Sequence, residues 1–226
     1  MQGQSAPSIS PVPAAPDAGR AVPLPLAPED QARADLYALA ARLLLAPPDA
    51  ALLADLAAAD PILGSQDERP LEDAWEKLVL AAGVMDAEAV ADEFNALFVS
   101  LGTPPLNPYG SLYLSGFMND TPLAQLRADL AALGLARVAG VAEFEDHLGA
   151  LCETMRVLVM RRTPLARQQQ FFEAHIAPWY ERCLLDVGQA ADARFYRVVA
   201  AFVAAFLTIE AQAFAVDTPF DAAALQ

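Results

Sequence analysis

An all-α fold is what this sequence predicts, and three observations carry that prediction. Alanine- and leucine-rich segments place apolar residues every three or four positions, the period of a helix face. Asp, Pro and Gly punctuate those segments where helices begin and end. No convincing series of alternating strands with hairpin turns interrupts them. Hydrophobic residues make up 55% of the 226 and charged residues 19%, enough apolar surface for one sizeable core.

The segments follow in order. Residues 1–27, "MQGQSAPSISPVPAAPDAGRAVPLPLA", are rich in Pro, Ala and Ser without periodicity and are expected to be a disordered tail. A single helical domain is expected over 28–226. Pro28-Glu29-Asp30 opens a helix with Leu36, Leu39, Leu43 and Leu44 on one face, stopped by Pro47-Pro48. Asp49 caps a short helix reaching Ala59. Pro70 suits a first turn, and Gly83 suits a left-handed residue at a helix end. Asp86 caps the helix that carries Val90, Phe94, Leu97 and Phe98 toward the core.

"PPLNPYGSLYLSG", Pro104 to Gly116, then reads as a loop, because proline lacks a donor and glycine loosens the backbone. Thr121-Pro122 resembles an N-cap with a first-position proline, and that helix closes at Gly134. A long helix runs from about Val141 to Arg162. Thr163-Pro164 restarts the pattern, Pro178 kinks or divides it before Val187, and an almost wholly apolar helix runs from about Asp192 to Val216. That makes roughly eight helices.

The 14 Lys+Arg stand against 29 Asp+Glu, a net charge of −15. Such a field repels nucleic acid and anionic membrane and favours cationic partners. The longest apolar run, Val198 to Leu207, is half the ~20 residues a bilayer needs, so no stable membrane insertion is expected. No secretory leader pattern opens the chain, and a cytoplasmic location is expected. Cys152 and Cys183 lie in apolar helical patterns and read as small buried side chains. Two Cys and two His without metal-ligand spacing argue against zinc, and Lys77 is the sole lysine. Phosphate-loop, HExxH, GxSxG and dinucleotide motifs are absent. Neither an enzyme nor a cofactor is expected.

Three constellations remain. In the first, Pro105 and Pro108 pre-order a loop that presents Tyr109, Ser111 and Tyr113. Those residues fit either a buried crossover or a wall facing a partner. In the second, "AEFEDHLGALCETM", Glu143, Glu145 and Asp146 crowd beside His147 near a helix start. Carboxylates there complement the helix dipole. They also suit a guanidinium, which a carboxylate takes through two parallel bonds, with His147 orienting Asp146 or titrating near neutrality. In the third, "QQQFFEAHIAPWYERCLLDV", His175 and Trp179 share a helix face, as in a core aromatic cluster.

In this order and separation, the blocks "EFNALFV…PPLNPYGSLYLSG", "EFEDHLGAL" and "FFEAHIAPWYERCLLDV…ARFYRVVAAF" resemble the TorD/DmsD family of redox-enzyme maturation chaperones. The likeness spans about residues 30 to 215, and "PYGSLYL" leans toward the DmsD-like branch. Phe144 stands where the family usually has proline. The resemblance implies an all-helical chaperone without catalytic activity. Its expected partner is the catalytic subunit of an apo-molybdoenzyme together with its twin-arginine leader peptide, held until the molybdopterin cofactor is inserted. By the motif match, Asp146, His147 and the Pro105–Tyr113 loop carry over as signal-peptide contacts, and the groove reading adds Glu143, Glu145, His175 and Trp179. A NarJ-like chaperone acting on an enzyme body without an export signal is the alternative. Relatives exchange helices between protomers, so a monomer or a helix-exchanged dimer is expected, with the hinge near Gly134–Ala142.

Overall fold

A computed structural model describes residues 9–11, 25–62, 69–99, 104–137 and 144–216. Ten α-helices account for most of it: α1 (Pro28–Leu45), α2 (Ala50–Ala57), α3 (Pro70–Val84), α4 (Ala87–Phe94), α5 (Gly110–Ser115), α6 (Thr121–Ala132), α7 (Leu148–Met160), α8 (Leu165–His175), α9 (Tyr180–Gln189) and α10 (Phe195–Val216). The class is all-α, as the periodicity predicts. Helix α4 runs on into one π turn, Asn95–Val99.

Helix α10 is the axis of the core. It is long and apolar enough to cross a membrane, but Val199, Phe202, Val203 and Phe206 are buried against the helices around it. Helices α3 and α9 pack along it, and α1 pairs with α7. Tyr37 of α1 meets Phe206 edge-on at 4.7 Å, and Trp75 of α3 lies 5.6 Å from Phe202. Helices α1 and α7 approach so closely that a Cβ on Gly149 would stand 2.6 Å from Leu45 Cγ.

Two buried glutamates tie distant elements together. Glu93 of α4 accepts from the N–H groups of Arg194 (2.8 Å), Phe195 (3.1 Å) and Tyr196 (2.8 Å), capping the start of α10. Glu210 of α10 takes both arms of the Arg33 fork at 2.8 Å and the Tyr37 hydroxyl at 2.9 Å. Arg33 also donates to Gln168 Oε1 of α8 at 3.2 Å. A fork-to-fork pair satisfied by further donors is the arrangement that makes a buried charge tolerable.

Several sequence expectations need correction. The second half of the expected loop is helical: α5 occupies Gly110–Ser115, and Gly116, at φ +84°, closes it through Gly116 N–H to Leu112 O. Gly83 lies inside α3 with ordinary helical backbone rather than in a left-handed end. The α6 cap is Asp120, one residue ahead of Thr121, and Gly134 at φ +66° follows that helix as expected. The long helix expected from Val141 begins at Leu148, preceded by a turn. The described residues hold ten helices against roughly eight expected, because α5 forms within the expected loop and the chain breaks between α8 and α9 around Pro178. A three-residue antiparallel pair also occurs: β1 (Ile9–Pro11) lies against β2 (Leu135–Arg137). The rest of the expected tail, save residues 25–27, lies outside the described residues.

Candidate functional site

The site is built where the Pro104–Ser115 segment meets the turn before α7. Tyr109 is extended and pairs with His147 as an antiparallel bridge. Leu148 N–H donates to Pro108 O at 2.9 Å, and Gly110 N–H donates to Asp146 O at 2.8 Å. Asp146 Oδ2 then accepts from Ser111 N–H at 2.8 Å, satisfying a free donor at the start of α5. These bonds stitch two segments about 35 residues apart into one unit.

Asp146 is 3% exposed. Its Oδ1 and the Ser111 hydroxyl, both buried, have no hydrogen-bond partner among the described residues. His147 does not orient this carboxylate. Its Nδ1 accepts from Gly149 N–H at 3.1 Å and caps α7, so the ring is needed neutral. Burial drives its pKa down to about 3, which corrects the expectation of titration near neutrality. Tyr109 lies edge-on to His147 at 5.0 Å and to Phe144 at 6.2 Å. Phe144 therefore fills the hinge with an aromatic ring, and its carbonyl accepts His147 N–H at 3.2 Å to close the turn.

Glu145 leaves this knot in another direction. Both its oxygens take the Arg127 fork of α6, at 3.1 and 3.0 Å. The hydrogen bonds to Glu145 raise the Arg127 pKa. The pair is asymmetric: Arg127 is 48% exposed and Glu145 only 8%. One carboxylate in the expected acidic seat thus already holds a guanidinium. Glu143 lies outside the described residues.

The aromatic block sits on the other side of α5. Trp179 lies flat against Gly110, where a Cβ would come within 3.2 Å of the indole nitrogen, so only glycine fits without a shift. The indole donates to His175 O at 2.7 Å and stacks on Tyr113 at 5.4 Å. His175 reaches sideways instead, its Nε2 2.8 Å from Asp129 of α6. Tyr113 donates to Asp186 Oδ2 of α9 at 2.9 Å, and burial raises its pKa well beyond the usual phenol range. Pro105, Leu106 and Leu112 join Tyr113, Arg182 and Asp186 around a groove of about 310 Å3.

Pro105 and Tyr113 thus line an open groove, while Pro108, Tyr109, Ser111, Asp146, His147 and Trp179 form its backing. Asp186, Arg182, Arg127 and Asp129 went unnoticed in the sequence. Nothing in a linear reading pairs Tyr113 with a carboxylate 73 positions away. Cys152 and Cys183 are buried and unbridged, and burial pushes the Cys183 thiol up to about 12, leaving no thiolate. Among the described residues, no group of three His, Cys, Asp or Glu is placed to hold a metal.

The family model described as nitrate reductase delta subunit matches residues 65–184, more than half of the 226. The chain belongs to this family. It is the NarJ/TorD-type group of maturation chaperones, so the resemblance drawn from the motifs holds at family level. The matched span contains α3 to α8 and the first half of α9, hence the stitched loop, the hinge and most of the aromatic block. A crystal structure from Archaeoglobus fulgidus, described as a redox enzyme maturation protein, shares the fold at 17% identity and a TM-score of 0.52. The match covers 85% of this chain and 99% of that one. No curated protein matches the chain.

Proposed function

We propose that this maturation chaperone binds the twin-arginine leader peptide, the apo form, or both, of a molybdopterin-containing oxidoreductase. Binding supports cofactor insertion and delays export from the cytoplasm. The chaperone carries out no catalysis of its own. The observation that carries the reading is the groove between the Pro105–Tyr113 segment and α9, where Pro105, Leu106 and Leu112 stand beside the polar and charged Asn107, Arg182 and Asp186, with Tyr113 stacked on Trp179 behind. A leader presents a basic pair followed by an apolar run, and a groove of this make-up suits both parts. Pro105 and Tyr113 contact the peptide. Pro108, Tyr109, Ser111, Asp146, His147 and Trp179 hold the wall in place, while Glu145 and His175 act through Arg127 and Asp129 of α6. The described residues from α1 to α10 act as one helical domain.

The family model, described as nitrate reductase delta subunit, favours a second reading, in which the chaperone acts on an enzyme body without an export signal. Pull-down of a catalytic subunit with and without its leader separates the two. Capture that depends on the leader supports the first. Equal capture of both forms supports the second, and capture of neither overturns both.

A further inference from the structure

We infer that Asp186 is the carboxylate that receives the basic side chain of a bound peptide, and that Arg182, one turn earlier on α9, sets the direction in which the peptide lies. This rests on the peptide-binding reading above and names the residues that confer its charge selectivity. Of the carboxylates near the Pro104–Ser115 segment, Asp120 caps α6 through Thr121 N–H, and two more are already engaged. Glu145 has both oxygens on Arg127, and Asp146 is buried with Oδ2 on Ser111 N–H.

Asp186 differs from both. It lines the open groove, and only its Oδ2 is taken, by the Tyr113 hydroxyl at 2.9 Å. Its Oδ1 has no partner among the described residues. Tyr113 is itself fixed by stacking on Trp179 at 5.4 Å, so the carboxylate is held ready before any ligand arrives. A carboxylate with one oxygen free among the described residues, beside Pro105, Leu106 and Leu112, suits a basic residue followed by apolar ones.

Arg182 also lines the groove, and among the described residues it forms no ion pair. The two side chains fall four residues apart on α9, which makes the groove dipolar rather than simply acidic. A basic side chain is repelled at the Arg182 end and drawn to the Asp186 end. The peptide therefore lies with its basic pair toward Asp186 and its apolar run toward Arg182.

Opposite signs from two variants test this. The probe is a fluorescein-labelled peptide with two adjacent arginines followed by ten alternating leucines and alanines, titrated by anisotropy against the full chain. Asp186→Asn keeps an acceptor for Tyr113 but removes the charge, and binding should weaken roughly tenfold with a flatter salt dependence. Arg182→Gln should tighten binding roughly two- to fivefold. Thermal melts should match wild type for both. Wild-type affinity in Asp186→Asn, or weaker binding in Arg182→Gln, overturns the assignment while leaving the peptide-binding reading intact. Failure of the wild-type protein to bind the probe overturns both.

Discussion

At the scale of single residues, His147 and Asp146 show how a motif suggestive of chemistry becomes architecture. His147 caps α7 through its neutral ring, and burial holds its pKa near 3 against an ordinary value of 6.5. The folded state resists a proton that the unfolded chain accepts, so stability is full above pH 6.5 and declines as pH falls toward 3. Between pH 6.5 and 5 the loss approaches about 1.4 kcal/mol per unit from this group alone. His147→Asn keeps a capping acceptor without the titration, and denaturant melts at pH 7.5 and 5.5 should show a smaller drop than wild type. An equal drop would refute the role. Ser111 offers a second check. Its hydroxyl is buried without a partner among the described residues, so Ser111→Ala should leave stability unchanged or slightly raised, within about 0.5 kcal/mol. A loss of 2 kcal/mol by chemical denaturation would mean that the hydroxyl is bonded in solution.

At the scale of elements, the joints are where stability concentrates. Gly149 lets α7 settle on α1, and Gly149→Ala places a methyl group against Leu45 and Leu44. Overpacking costs about 1–3 kcal/mol and alanine returns up to about 1 through helix propensity, so a net loss is expected in denaturant melts. Glu93→Gln should cost about 1.5–3 kcal/mol, because a charged acceptor that serves three N–H groups of α10 is lost. Local chemistry made much of this legible beforehand: Asp49 and Asp86 cap their helices, Pro28 and Pro70 start theirs, and Gly134 follows α6. Helix α5 was hidden because Pro108 and Gly110 read as breakers. Pro108 lies ahead of its first turn, and Gly110 has ordinary helical backbone and packs closely on the Trp179 ring. Gly83 misled in the opposite sense, for the chain simply tolerates it within α3. The Glu93 and Glu210 ties were invisible because their partners lie 101 to 177 positions away.

For the whole molecule, the motifs identified the family, and the fold explains why they travel together. The loop block, the hinge block and the aromatic block converge on α5, joined by Asp146 to Ser111 on one side and by Trp179 to Gly110 on the other. The expected acidic seat did not survive as a set of open carboxylates, since Arg127 already occupies Glu145. Charge patterns in sequence show which groups are near in the chain, not which are already paired. The central claim is that the groove beside this knot receives a basic, apolar leader. Calorimetric titration of the chaperone with leader peptides of the host's molybdopterin enzymes tests it most directly, each paired with a version carrying two lysines for the arginines. The account predicts micromolar or tighter binding to one leader, weakened by the lysine version and by Tyr113→Ala. Absence of binding to every leader, or equal binding of the Tyr113→Ala protein, would contradict it.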